Sequence, residues 1–240
     1  MSRPIPILMY HQIDAPPPRG TPLRGLVVSP RSFSWQMAML RWLGFQGLSM
    51  RDLEPYLDGR QQVKVVGITF DDGYLNNLQN ALPVLLKHGH TATCYAVSHL
   101  IGQTNRWDDG VVATQPLMGL AHWHQWIDGG MDVGSHTQHH IDLQATDDAA
   151  AASEMKLSRL ALNDSLNYDV RHFCYPYGRF APKHVAMARD AGYVTATTMR
   201  RGRVYVDHDQ WALPRVMVAC ATNPWQFFLK LMTDYEDRRA

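Results

Sequence analysis

The sequence lacks the features that would tie it to a membrane, a nucleic acid or an oxidising compartment. No run approaches the roughly 18 consecutive apolar residues that a membrane span requires. The first 14 residues carry no apolar export core and no small-residue cleavage site. A cytoplasmic protein without a transmembrane segment is therefore expected. Neither sign of charge is in excess, with 23 Lys and Arg against 22 Asp and Glu, so no global field recruits nucleic acid and the partner is expected to be neutral. Cysteine is scarce: Cys94, Cys174 and Cys220 cannot all pair, and none stands in a Cys-x-x-Cys arrangement, so they read as reduced. No internal repeat, heptad or low-complexity linker divides the chain, and residues 1–240 are read as one domain.

What is present is an ordinary globular composition, 45% hydrophobic and 19% charged, in 240 residues. That length suits a single α/β barrel of roughly 250 residues. Short apolar runs recur at 5–10, 63–70, 92–97, 132–135, 172–175, 194–198 and 213–218, separated by helical stretches, as a mainly parallel sheet requires. Ser29-Pro30 supplies an N-cap and a first-turn proline for a helix ending near Gly44. Further helices are expected over 77–88, 120–129, 147–166, 182–191 and 224–235. The segment 15–26, with four prolines and two glycines, reads as a long irregular loop, and loops of that length are often functional.

Three short patterns carry chemistry. In Ile68-Thr69-Phe70-Asp71-Asp72-Gly73-Tyr74 an apolar strand ends in two carboxylates and a glycine. Parallel α/β folds keep their active sites at that end of a strand, although Asp-Asp-Gly is also an ordinary solvated turn. In Gly134-Ser135-His136-Thr137-Gln138-His139-His140 two histidines stand four residues apart. On a helical turn they would share a face and reach one ion, with His139 pointing elsewhere; the alternative is that they are surface histidines among the chain's 12. His122, His124, His172, His184 and His208 are assigned to surface or hydrogen-bonding roles. Finally, Phe173-Cys174-Tyr175-Pro176-Tyr177-Gly178 ends a strand in a rigid turn that can aim a backbone N–H at a developing oxyanion, or can be a plain loop.

Taken together, in this order and at these separations, the patterns resemble the motifs of the polysaccharide deacetylases, also called carbohydrate esterase family 4 or the NodB-homology domain. The resemblance spans residues 5–218, through Thr69 to Tyr74, His136-Thr137-x-x-His140 and Pro176-Tyr177-Gly178. It implies a distorted (β/α) barrel of about seven strands with a divalent metal at the C-terminal strand ends. It also implies Asp71 as catalytic base, Asp72, His136 and His140 as metal ligands, and Tyr177 as donor of an oxyanion-hole N–H. The ligand set favours zinc, while nitrogen and oxygen sites also accept cobalt, nickel, manganese or iron. Tyr74, Tyr177 and Trp107 are expected to line the substrate groove, beside Pro176, since sugar rings present apolar faces to aromatics.

Two family features are missing. The arginine that commonly precedes the Pro-Tyr-Gly turn is replaced by Cys174-Tyr175, and no histidine follows His208 to supply the late general acid. The opening Ile7-Leu8-Met9-Tyr10-His11 is similar to the branch that includes poly-N-acetylglucosamine deacetylases, where an N-terminal strand delivers a histidine. His11 is therefore the expected acid, and Arg215, in another apolar run, the expected partner of Asp71. The implied activity is removal of N-acetyl groups from an amino-sugar glycan or glycan intermediate. The rivals are an O-acetyl esterase or cyclic-amide hydrolase on the same fold, or an inactive glycan-binding barrel.

Overall fold

The computed structural model describes residues 3–57, 59 and 63–239. In chain order the elements are β1 (Ile7–Tyr10), β2 (Gln12–Ile13), β3 (Val27–Val28), α1 (Pro30–Trp42), β4 (Gln46–Leu48), α2 (Met50–Leu57), β5 (Val65–Phe70), α3 (Leu82–His88), β6 (Thr93–Ala96), α4 (Leu120–Asp128), β7 (Asp132–Ser135), α5 (Asp148–Leu166), β8 (His172–Cys174), α6 (Pro182–Asp190), β9 (Thr195–Arg201), β10 (Leu213–Met217) and α7 (Pro224–Met232). The strands β1, β10, β9, β8, β7, β6 and β5 pair in that order, all parallel, and β1 pairs again with β5 to close a seven-stranded barrel. This is the (β/α) barrel expected from the sequence, and all seven expected strands form.

Period-2 alternation explains how each strand is apolar on both faces. Val66, Ile68 and Phe70 of β5 join the large cluster beneath the helices. Val65 joins Ile7, Tyr95, Cys174 and Leu213 in a second cluster inside the barrel. Continuing the inner parity past the strand ends reaches Asp71 after Thr69, His11 after Met9 and His136 after Gly134. The helices start where the chain supplies caps. Ser29 Oγ accepts from Ser32 N at 3.1 Å ahead of Pro30, and Asp147 Oδ1 from Ala150 N at 3.0 Å, each worth about 1 kcal/mol.

Besides the two-residue pair β2–β3, which the sequence reading did not include, the structure departs from that reading in four places. β4 lies on the edge of β5 at Val65–Gly67, just before β6 takes over that edge at Thr69. α2 follows it and sends Met50, Leu53 and Leu57 into the inner cluster, plugging the barrel. The stretch 77–88 opens as a π-turn, Asn77–Ala81, before α3. There Asn77 Nδ2 donates to the His11 carbonyl at 2.7 Å and Asn77 Oδ1 accepts from Ile13 N at 3.2 Å, pinning the chain on either side of His11. α7 stops at Met232, where Thr233 Oγ1 takes the Leu229 carbonyl at 2.7 Å. The 15–26 loop is irregular apart from a 3-10 turn at Arg24–Leu26. Among the described residues the three cysteines form no disulfide, and no helix is long and apolar enough to cross a membrane.

Candidate active site

β5 ends by delivering Asp71 and Asp72 in different directions. Asp71 N donates to the Tyr10 carbonyl at 3.0 Å, which keeps Asp71 in sheet geometry beside His11. Asp72 then turns left-handed at φ 76°, followed by Gly73 at φ 78°. A Cβ on Gly73 would come within 2.9 Å of the Trp123 ring, so the Asp-Asp-Gly order answers both the backbone and the packing. A left-handed aspartate is uncommon and is held there by its surroundings.

Asp71 is 2% exposed and lies against Arg215, itself 1% exposed. Arg215 Nη1 and Nη2 each donate to one Asp71 oxygen at 2.7 Å. Its other donors reach Thr69 Oγ1 at 3.1 Å, the Thr198 carbonyl at 2.8 Å and Cys174 Sγ at 3.1 Å. The guanidinium is fully satisfied, which a buried ion pair requires. Arg215 thus stands where the expected pairing put it. Cys174, at the position where a family arginine is common, is small enough to admit it from β10. Burial works against a charge on Asp71, but Arg215, with His11 and His136 nearby, holds its carboxyl below the usual carboxylate range. His11 Nε2 stands 3.8 Å from Asp71 Oδ2, facing into the site.

Asp72, His136 and His140 converge, with Asp72 Oδ1 3.3 Å from Nε2 of each histidine. The convergence does not come from a helical turn. Residues 136–140 are irregular, with Thr137 at φ 67° and His140 at φ 58°. The His140 N–H is closed onto Thr137 Oγ1 at 3.0 Å. His139 leaves the group, its Nδ1 2.6 Å from Glu154 Oε1. His136 Nδ1 lies 2.7 Å from the Cys174 carbonyl, an acceptor only, so this nitrogen carries the proton and Nε2 offers its lone pair toward Asp72 in the neutral ring. Burial opposes charge on both groups, yet hydrogen bonding to the imidazoles holds the Asp72 carboxyl well below the usual range, and Cys174 and Asp72 raise His136 well above its own, so a proton is shared across a contact that a cation could take over. Burial also pushes His140 below its usual value, toward the neutral form.

This donor set fits a divalent ion. Among the described residues the ligand atoms of Asp72, His136 and His140 lie within 4.8 Å of one another and all three residues are buried. A second group, Asp71, His136 and Cys174, fits less well because both Asp71 oxygens are occupied by Arg215. Two imidazoles and one carboxylate are one short of a closed tetrahedral set, the pattern of hydrolytic metal sites.

The Pro176-Tyr177-Gly178 turn rises beside His140, with Tyr177 at φ 57° and 44% exposed. Gly178 tolerates no side chain, since a Cβ would lie 2.4 Å from that of Met199. The expected groove residues divide. Trp107 is part-exposed and stacks on His140. Pro176 is buried under the turn it opens. Tyr74 is 2% exposed, packed with Val97, Leu100 and Leu117, so it cannot offer a ring face to a sugar and instead floors a neighbouring cleft. Sequence reading missed the contribution of the 3-10 turn Arg106–Asp108 to the ligand cluster, because no local pattern links it to a histidine 33 residues later than Trp107.

Comparison with known proteins agrees with this geometry. A polysaccharide deacetylase family model matches residues 58–196, more than half of the chain. The chain is similar to the Bacillus subtilis protein YxkH, with 31% identity over 217 residues that cover 90% of this chain and 71% of the relative. It is 24% identical over 209 residues to the poly-beta-1,6-N-acetyl-D-glucosamine N-deacetylase of Staphylococcus epidermidis, covering 82% of this chain and 70% of that one. Among solved structures, Streptococcus pyogenes deacetylase PplD in complex with acetate superposes with a TM-score of 0.84 at 25% identity, over 96% of this chain and 99% of that one. IcaB from Ammonifex degensii superposes at 0.75 with 26% identity, over 93% and 94%.

Proposed function

Since the chain belongs to the polysaccharide deacetylase family, we propose that it is a metal-dependent hydrolase that removes N-acetyl groups from an amino-sugar glycan or glycan intermediate, releasing acetate. The observation that carries the reading is the pairing of two adjacent carboxylates with different partners: Asp72 with two imidazoles at 3.3 Å, Asp71 with a bidentate arginine at 2.7 Å. One carboxylate belongs to a ligand set; the other is kept ionised to accept a proton.

Asp72, His136 and His140 hold the divalent ion, with zinc favoured and cobalt, nickel, manganese or iron accepted. When bound, such an ion polarises a carbonyl and lowers the pKa of water toward about 7. Asp71 takes the proton from the attacking water as the water adds to the acetyl carbonyl. Arg215 keeps Asp71 ionised and fixes its two oxygens. The Tyr177 backbone N–H faces the oxygen on which negative charge develops. His11 gives a proton to the sugar amine as the C–N bond breaks. Acetate and a free amino sugar leave.

The inactive-barrel alternative drew on the absent arginine and late histidine. Arg215 and His11 stand beside Asp71 from other strands, which favours an active enzyme. The relatives named poly-beta-1,6-N-acetyl-D-glucosamine N-deacetylase favour N-acetyl over O-acetyl substrates. A cleft lined by Asp14, Pro17, Leu23, Asp108 and Gln115, with Tyr74 at its floor, presents carboxylate and amide groups that suit sugar hydroxyls. The test is acetate release from a panel of N-acetylated and O-acetylated glycans with added divalent metals. Release from N-acetylated oligosaccharides is expected; release confined to O-acetyl esters would move the activity to the esterase reading.

A further inference from the structure

His136 and His140 stand at the same distance from Asp72 but are oriented by different means. His136 is fixed by its Nδ1 hydrogen bond to the Cys174 carbonyl. His140 Nδ1 is buried and has no hydrogen-bond partner among the described residues. A ligating imidazole almost always has such a partner, because it sets the rotation of the ring and the tautomer. In its place His140 has aromatic walls. Trp107 stacks on it with ring centroids 4.2 Å apart and planes 22° from parallel, and Tyr177 meets it edge-on at 4.6 Å and 74°. Rotating the His140 ring about its Cβ–Cγ bond would drive it into the Trp107 face.

Trp107 is itself braced. Asn105 Nδ2 donates to Asp108 Oδ2 at 2.8 Å and Asn105 Oδ1 accepts from Gln115 N at 2.5 Å, closing the loop on both sides of the Arg106–Asp108 turn. The Trp107 ring packs against the cluster of Tyr74, Val97, Leu100 and Leu117. This wall is held by the protein's own packing.

We propose that Trp107 is a positioning residue for the metal ligand His140, doing by stacking what the Cys174 carbonyl does for His136 by hydrogen bonding. The inference rests on the reading that Asp72, His136 and His140 hold a divalent ion. It assigns Trp107 to the ion's affinity and geometry, where the groove expectation assigned it to the sugar.

The test compares wild type, Trp107→Leu, Trp107→Phe and His140→Ala. The Zn2+ dissociation constant is read by chelator competition and the Co2+ site by its visible absorption, with thermal unfolding of the metal-free proteins as control. Trp107→Leu is expected to weaken Zn2+ binding roughly 10- to 100-fold, the range for loss of an outer partner, and to alter the Co2+ spectrum. Trp107→Phe, which keeps a ring face, should restore most of both. An unchanged Zn2+ constant in Trp107→Leu overturns the inference, whether or not the metal-free protein becomes less stable; so does equal weakening by Leu and Phe. His140→Ala separates the two levels: if it binds Zn2+ like wild type, the metal-site reading itself fails.

Discussion

At the N-terminal end of the barrel Asp132 accepts from Thr93 Oγ1 at 2.7 Å, the Tyr168 hydroxyl at 2.8 Å and Arg51 Nε at 3.2 Å. At the C-terminal end Asp72 faces two imidazole nitrogens. Both ends bury aspartate and histidine and engage arginine, so residue type alone does not distinguish them. The hydrogen-bond ledger does. Around Asp132 every partner is a donor, Arg171 grips Glu54 through two bonds of 2.9 and 2.8 Å, and His172 Nδ1 is 2.9 Å from Thr195 Oγ1, its Nε2 alone being without a hydrogen bond among the described residues. That network binds α2 to the strand starts and closes the barrel floor. Around Asp72 one carboxylate oxygen meets two imidazole nitrogens at 3.3 Å, a contact that holds through a shared proton or a cation in its place. The comparison teaches that a carboxylate answered by hydroxyl and guanidinium donors marks the structural end, and a carboxylate met by two imidazoles marks the chemical one.

The contrast breaks if substitutions at the two ends have the same effect. Asp71→Asn is expected to have the largest, lowering acetate release about 10²- to 10⁴-fold, the range for a general base, while one metal per chain stays bound. Near-normal turnover would assign the base elsewhere. Asp132→Ala at the floor should lower unfolding free energy by about 1–3 kcal/mol, as expected when buried hydroxyl donors lose their acceptor. Turnover per folded molecule and metal content should hold; urea titration and active-fraction assays read the two separately.

His11→Ala sharpens the roles within the upper end. Metal content should be unchanged, and hydrolysis of an amide should fall about 10²-fold more than hydrolysis of an activated acetyl ester, whose leaving group needs no proton. Equal losses on the two substrates would put the acid elsewhere. The smallest effect concerns His90 and His172, which burial holds below the usual histidine value. Their folded pKa is depressed, so the stability they lend is present above the unfolded value of about 6.5 and is lost as pH falls from there toward the folded value. Urea unfolding of the metal-free protein between pH 7.5 and pH 5.5 should show His172→Gln losing less free energy than wild type over that interval. An equal loss in the two would mean that His172 is not held neutral.

Much of this was legible in the residues because the barrel writes itself in apolar runs doubly buried by strands and helices. The C-terminal ends of two of those runs hold Asp71-Asp72 and His136. β4 and α2 were not legible: a three-residue strand containing Gly47 and an eight-residue helix containing Pro55 carry too little periodicity to stand out. The His136-to-His140 spacing suggested a shared helical face, and the residues do converge, but through left-handed turns at Thr137 and His140 that spacing cannot encode. Arg215 was reachable only by asking what could replace a missing arginine. The Trp107 stack on His140 follows from tertiary packing alone.

The central claim is that Asp72, His136 and His140 hold one divalent ion on which acetate release depends. Its most direct test strips the protein with a chelator, returns Zn2+ in substoichiometric steps, and follows bound metal and acetate release from an N-acetylated oligosaccharide together. The account predicts that both rise in parallel to one equivalent and that His136→Ala abolishes both. Acetate release that persists in the stripped protein, or a His136→Ala variant that still binds one equivalent and turns over, would contradict it.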